Sequence, residues 1–236
     1  MGTKDVLIVV PTLDERQNIA ELLAGIRTFV PGADVLVVDD GSTDGTAEIV
    51  EQLGRDTPQV RLLQRGRRLG IGSAYVQAFA QGLTEGYRRL VSMDGDLSHD
   101  PRYLPDLIAA SDDCGVAIGS RYLHGVSVVN WGLERLVLSV FANFCARRIT
   151  GLPVRDCTSG FQCFRREVLE RLDLGAVQST GYSFLVELKY RAYRHGFRLR
   201  EVPIIFVDRR FGSSKLGPSH VLSSAWTLLD LRFRRL

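Results

Sequence analysis

The chain has 236 residues, 45% of them hydrophobic and 24% charged, enough to bury one large core without a second domain. A formal net charge of +3 and a pI near 8.8 exclude the dominant basic face of a nucleic-acid binder and leave anionic small molecules and membrane surfaces as partners. Cys114, Cys145, Cys157 and Cys163 show neither C-x-x-C nor zinc-type spacing, which points to reduced thiols and a cytoplasmic protein.

Taken in chain order, the apolar run at 6–10 stops at Pro11, too short for a signal sequence or a spanning helix. Runs at 35–38, 60–63, 90–93 and 116–118 read as further strands separated by helical patterns, which predicts an α/β fold with a mostly parallel sheet and right-handed crossovers. Within TLDERQNIAELLAGI, Ile19, Leu22, Leu23 and Ile26 mark one buried helix face, and Asp14 with Gln17 resembles a capping box. The turn cluster DDGSTDGT leads into helical AEIVEQL, and RGRRLGIGSAY leads into a helix reaching about residue 86. The second half is more mixed. ERLVLSVFANFCARRIT, YSFLVELKYRAYRHG and SHVLSSAWTLLDLRFRRL are helix candidates, and SGFQCF and LREVPIIFV are strand candidates. No internal repeat or flexible linker divides the chain, so one domain is expected.

Ligands of such sheets gather at the carboxyl ends of the strands, where Asp39, Asp40, Asp94 and Asp96 fall. In VSMDGDLSHDP, two carboxylates flank one glycine after an apolar run, and a hard divalent cation, Mg2+ or Mn2+, is the simplest compensating charge. The competing reading is an Asx-rich turn that caps a helix near Pro101. Arg65, Arg67 and Arg68 offer cations for a diphosphate, or form a solvated loop. The loop LGIGSAY has Tyr75 where a dinucleotide fingerprint needs its third glycine and does not follow the first strand, which argues against a Rossmann oxidoreductase. His99 suits a supporting or capping role better than that of a metal ligand, and Trp131 and Tyr182 suit either burial or contact with sugar or lipid. From about Leu133, Arg135, Ser139, Asn143 and Arg147 recur every four residues as one polar stripe on an otherwise apolar helix, readable as a solvated face or as a phosphate site completed by Arg121.

The motifs VPTLDERQNI, VLVVDDGSTDGTAEIV, RRLGIGSAY, MDGDLSHDP, IGSRY, NWGLERLVLS, DCTSGFQCFRREVLERL, GYSFLVEL and EVPIIFVDRRFGSSKLG occur in order from about residue 6 to 217. Together they resemble family 2 glycosyltransferases, and among these the polyprenyl-phosphate mannosyltransferases, called dolichyl-phosphate mannose synthases in eukaryotes. The resemblance implies a GT-A fold, with residues 1–217 as the glycosyltransferase domain. In 218–236, Leu222, Trp226, Leu229, Phe233 and Leu236 share one helical face, which predicts an amphipathic C-terminal helix that either completes the core or docks to a membrane or partner subunit. The resemblance also implies inverting transfer of a hexose, mannose from GDP-mannose, to a polyprenyl or dolichyl phosphate, dependent on Mg2+ or Mn2+. The protein would then lie peripherally at the cytosolic face of a membrane.

By the same resemblance, Pro11, Leu13, Glu15, Asp39, Asp40, Arg68, Asp94, Gly95 and Asp96 would bind the nucleotide sugar. Arg209 and Lys215 would close over the anions, and Asp94 and Asp96 would hold the metal. Arg121, Arg135 and Ser139 would receive the acceptor phosphate, and Asp96 and Arg121 would be the catalytic residues. Leu13-Asp14 stands where the family often has Tyr-Asn, and Trp131-Gly132 where several members have Trp-Pro. The alternatives are another donor such as UDP-glucose, a hydroxyl acceptor, and a non-catalytic nucleotide-sugar or lipid-phosphate binding subunit. A nucleotidyltransferase would need a glycine-rich loop after the first strand, which is missing.

Overall fold

A computed structural model describes residues 4–177, 183–208 and 232. The central sheet contains β1 (Val6–Thr12), β2 (Asp34–Asp39), β3 (Val60–Gln64), β4 (Arg89–Ser92), β5 (Val116–Ser120), β7 (Gln162–Arg165) and β8 (Leu199–Pro203), in the order β3-β2-β1-β4-β7-β5-β8. A small second sheet pairs β6 (Val128–Val129) with β9 (Phe206–Val207). Pairing is parallel throughout except that β7 runs antiparallel to both β4 and β5. This is the mostly parallel α/β sheet of a GT-A-like fold. Among the described residues, no helix is long and apolar enough to cross a membrane.

The helices are α1 (Ile19–Phe29), α2 (Thr46–Asp56), α3 (Ile71–Thr84), α4 (Leu104–Ala110), α5 (Leu133–Thr150), α6 (Arg166–Arg171) and α7 (Ser183–Arg194). Alternate residues of a strand face opposite sides of the sheet, and both sides are covered, so β1 and β5 carry buried side chains on both faces. Leu7 and Val9 of β1 pack with Leu36, Val38, Tyr75, Phe79 and Phe164, whereas Ile8 and Val10 pack with Ile19, Leu22, Leu23, Ile26, Leu104 and Leu107. The apolar face expected for α1 is the buried one.

The start of α1 differs from expectation. Asn18 is its N-cap and makes no side-chain capping bond. Asp14 instead adopts a left-handed conformation (φ 58°), and its carboxylate accepts the Thr43 backbone N–H at 2.8 Å. The capping-box spacing is thus spent on a bond between loops. The strand expected over LREVPIIFV divides into β8 and β9, because the chain leaves β5 after Ile204 N–H bonds the Ser120 carbonyl and moves to the Ser127 carbonyl through Phe206 N–H.

Candidate active site

Two loops at the ends of β1 and β2 are bonded to each other residue by residue. Asp14 N–H donates to Ser42 Oγ, Glu15 N–H to Thr46 Oγ1 and Arg16 N–H to Asp44 Oδ2, each at 2.9 Å. Burial would raise the Asp44 pKa, but hydrogen bonds from Thr46 and the Arg16 backbone outweigh it and hold the carboxyl below its usual value. Asp39 Oδ1 accepts the N–H groups of Gly41 and Ser42, and its Oδ2 accepts the hydroxyls of Ser42 and Thr12. Asp40 Oδ2 accepts Leu69 and Gly70 N–H, while Oδ1 pairs with Arg65 at 2.7 Å. Asp39 and Asp40 therefore tie together the chain ends after β1, β2 and β3 through heavily used oxygens. Arg65, read from the sequence as a cation for a diphosphate, is spent on Asp40 and buried; Arg67 and Arg68 remain exposed.

The D-x-D lies just past β4. Gly95 abuts the end of β1: a Cβ there would sit 3.2 Å from Thr12 Cγ2, 3.3 Å from the Pro11 carbonyl oxygen and 3.5 Å from Glu15 Cγ. A side chain there would press on Thr12 and the Pro11 carbonyl, so glycine lets the D-x-D loop sit close against the end of β1. Asp96 is 7% exposed and accepts the backbone N–H and hydroxyl of Ser98 on Oδ1. Leu97 between them is left-handed (φ 62°), a strain of about 1 kcal/mol or more of the kind that gathers at functional loops. The capping role belongs to Asp100, whose carboxylate accepts Arg102 N–H at the 3-10 turn Pro101–Tyr103. Asp94 is thereby left out of the cap and is partly exposed.

Within the field of Asp94 stands Arg121, 8% exposed and held by Asp156, a residue not singled out from the sequence. Arg121 Nε and Nη2 each donate to the Asp156 carboxylate at 2.7 Å, and Arg121 N–H does so at 3.0 Å. Burial opposes both charges; their mutual attraction and hydrogen bonding raise the Arg121 pKa and lower that of Asp156, and the field of Asp94 adds to the rise at Arg121. The signal in the sequence was Asp156 within DCTSGF, an acid in an otherwise uncharged motif. The Arg121 guanidinium lies 5.4–5.7 Å from the rings of Tyr122, Trp131 and Phe206, and Arg135 lies 4.4 Å from Trp131.

Helix α5 settles which way the polar stripe faces. Arg135 pairs with Asp208 at 2.6 Å, Ser139 Oγ accepts the Tyr122 hydroxyl at 2.8 Å, and Asn143 Nδ2 donates to Thr158 Oγ1, which also accepts from Arg121. Three of the four stripe residues turn toward the protein, and only Arg147 is exposed. The apolar side faces outward: Leu133, Val137, Val140, Phe141 and Phe144 are 43–75% exposed. The reading of the stripe as a solvated face is therefore corrected.

The sequence profile described as glycosyl transferase family 2 matches residues 7–173, from β1 to beyond α6. The chain belongs to glycosyltransferase family 2. A polyprenol monophosphomannose synthase of Mycolicibacterium smegmatis is 41% identical over 234 residues, covering 98% of this chain and 88% of that one. An undecaprenyl-phosphate mannosyltransferase of Micrococcus luteus is 40% identical over 212 residues, covering 90% of this chain and 87% of that one. Among solved structures, the glucosyl-3-phosphoglycerate synthase of Mycobacterium tuberculosis in complex with Mn2+ and UDP-glucose has the same fold. Its TM-score is 0.66 at 20% identity, over 97% of this chain and 79% of that one.

In this family 2 glycosyltransferase, the fit of a divalent cation can be judged from the donor set. No group of three or more His, Cys, Asp or Glu able to hold a metal occurs among the described residues. Asp94 and Asp96 supply hard carboxylate oxygens at one strand end, the donor set of a cation that shares its coordination with substrate phosphates. Arg209, Lys215, Tyr182 and, apart from Arg232, the helix expected over 218–236 lie outside the described residues.

Beneath the site, Lys189 is fully buried on α7 and donates to the Ser159 carbonyl at 2.9 Å. Burial lowers its pKa to about 8; the fields of Cys157, Asp156 and Glu201 oppose this and that of Arg121 adds to it. Because the folded-state pKa lies below the ordinary lysine value of 10.5, the unfolded chain holds more protons between those values, and stability gained from this group grows as pH rises from about 8 to 10.5. Chemical denaturation of wild type and Lys189→Met across that window is expected to show the difference moving in favour of wild type. A pH-independent difference would contradict the assignment.

Proposed function

We propose that the protein transfers mannose from GDP-mannose to a polyprenyl phosphate at the cytosolic face of a membrane, inverting the anomeric carbon. The observation that carries this reading is Arg121, locked by Asp156 and close enough to Asp94 to feel its charge. One crevice thus presents carboxylates suited to a metal-bound diphosphate beside guanidiniums suited to a second phosphate. The named activities of the two relatives at 40–41% identity support mannose and polyprenyl phosphate as the substrates.

Pro11, Leu13, Glu15, Asp39 and Asp40 line the nucleoside side, with Arg68 reaching the diphosphate. Asp39 and Asp40 act by holding the Thr12 hydroxyl and the Leu69–Gly70 backbone in place. Asp94 and Asp96 would hold Mg2+ or Mn2+, and the structural neighbour solved with Mn2+ and a nucleotide sugar supports that choice. When bound, the cation stabilises the charge on the departing nucleoside diphosphate. Arg121, Arg135 and Ser139 grip the acceptor phosphate. That phosphate monoester is largely dianionic near neutral pH, its second pKa being about 6, so the nucleophile needs no general base. The residues work by holding the phosphate in line with the anomeric carbon and by excluding water. Arg209 and Lys215 are assigned to closure over the anions.

The donor half is tested by thermal unfolding with Mg2+ or Mn2+ and each nucleotide sugar. GDP-mannose is expected to raise Tm more than UDP-glucose at equal concentration. Equal or greater protection by UDP-glucose would contradict the assignment of the base and sugar.

The apolar side of α5 serves the membrane. With Val126 it forms a shallow groove of about 470 Å³ lined by Leu136, Val137, Val140, Phe141 and Phe144, and Arg147 and Arg148 stand exposed at the end of the same helix. An exposed apolar helix face next to basic residues suits the interface of an anionic bilayer, where the long-chain acceptor resides. Replacing Val137 and Phe141 by Asp is expected to weaken sedimentation with anionic liposomes by about 10-fold or more, while transfer to a short-chain soluble acceptor stays within about 2-fold. Unchanged sedimentation would move the docking surface elsewhere.

A further inference from the structure

Immediately after the D-x-D, the chain doubles back. The left-handed Leu97 and the bonds from Ser98 to Asp96 return His99 to the start of the motif. There, Asp94 N–H donates to His99 Nδ1 at 3.0 Å. An accepting Nδ1 carries no proton, so the proton of the ring resides on Nε2, which lies 3.9 Å from Asp94 Oδ2. One imidazole thus meets both the backbone and the carboxylate of the same aspartate.

The surroundings explain how the ring is fixed. His99 is 2% exposed; it stacks on Phe161 at 5.0 Å with planes 12° apart and meets the edge of Phe206 at 5.6 Å. Gly160 closes the slot. A Cβ at that position would sit 3.6 Å from both Asp94 Oδ1 and His99 Cε1. The Gly160 backbone is itself anchored, since its carbonyl accepts Ser92 Oγ at 2.7 Å and the neighbouring Ser159 carbonyl accepts buried Lys189. A phenylalanine would fill such an aromatic slot well. What phenylalanine would not supply is an acceptor for the Asp94 N–H.

We propose that His99 is a positioning residue for the donor site: its Nδ1 fixes the Asp94 backbone, and this sets the direction of the Asp94 carboxylate toward the metal-diphosphate. The proposal rests on the donor-site reading above. Groups that orient a metal's carboxylate ligands without touching the metal typically change its affinity by roughly 10–100-fold when removed.

Two substitutions separate positioning from packing because they fail in opposite ways. His99→Phe keeps the stacked ring and removes the acceptor; His99→Asn gives up the stack and keeps an acceptor, Oδ1, near the place of Nδ1. The readout is uptake of Mn2+ with GDP, followed by electron paramagnetic resonance of free Mn2+ without acceptor or turnover, alongside Tm. His99→Phe is expected to weaken Mn2+·GDP uptake by roughly 10-fold with Tm near wild type, and His99→Asn to bind within about 3-fold of wild type despite a lower Tm. Should His99→Phe not fold, His99→Leu, which likewise lacks the acceptor, carries the same expectation. Wild-type uptake by the acceptor-free variant, or uptake by His99→Asn as weak as that of His99→Phe, overturns the proposal while leaving the donor site standing. Failure of wild type itself to take up Mn2+ with GDP overturns the donor-site reading and this role for His99 together.

Discussion

Replacing Asp96 is expected to reduce mannosyl transfer by at least about 10³-fold, because its proposed role in holding the metal that stabilises the departing diphosphate is worth several kcal/mol. Asp96→Asn and Asp96→Ala should share this loss and differ in stability. Asp96 Oδ1 accepts both the N–H and the hydroxyl of Ser98, and an asparagine oxygen can still take the N–H. Asp96→Asn is therefore expected to unfold within a few degrees of wild type, whereas Asp96→Ala frees a buried N–H and falls further, by roughly 1–3 kcal/mol. Near-normal turnover by Asp96→Ala with EDTA present would contradict a role in metal and diphosphate binding.

Arg121→Ala should be the most damaging substitution to the fold among the site residues. Asp156 is wholly buried, and three bonds from Arg121 satisfy its carboxylate. Removing the guanidinium strands a buried charge, at about 3–5 kcal/mol. For a chain of this size that corresponds to a Tm lower by roughly 6–20 °C. The double variant Arg121→Met with Asp156→Leu removes both charges and should recover much of the stability with no recovery of activity, which separates the fold from the chemistry. Arg135→Ala is the contrast. Its pair with Asp208 is partly exposed on both sides, so stability should change by less than about 1 kcal/mol while the acceptor KM rises and donor affinity holds. Equal stability losses for Arg121→Ala and Arg135→Ala would contradict the burial argument. Lost nucleotide binding with unchanged acceptor kinetics would contradict the placement of Arg135.

What was readable in the sequence follows from how local each signal is. The first five strands and α1 were legible because apolar runs and the Ile19, Leu22, Leu23, Ile26 spacing are read within a single element. The D-x-D stood out because charge after an apolar run is expensive to bury. The antiparallel insertion of β7 between β4 and β5 was not legible, since four residues carry no record of the direction of their neighbours. Asp14 and Gln17 had the spacing of a capping box, yet Thr43, 29 residues away, provides the better donor for Asp14. Arg65 looked like a free cation until the fold set Asp40 beside it. Periodicity found the stripe on α5 but not its direction. Two-sided helices are ordinarily apolar inward, and here Asp208, Tyr122 and Thr158 draw the polar side in.

The central claim is the reaction itself, and product identification tests it most directly. The full chain is incubated with Mg2+ or Mn2+, a panel of GDP- and UDP-sugars and a polyprenyl phosphate, and the lipid fraction is analysed by mass spectrometry and anomeric NMR. The account predicts one glycolipid, a β-linked mannosyl phosphate of the polyprenol, formed from GDP-mannose and lost when the cation is chelated. A product made only with a hydroxyl acceptor, or no glycolipid from any donor while the folded chain still binds nucleotide, would contradict it.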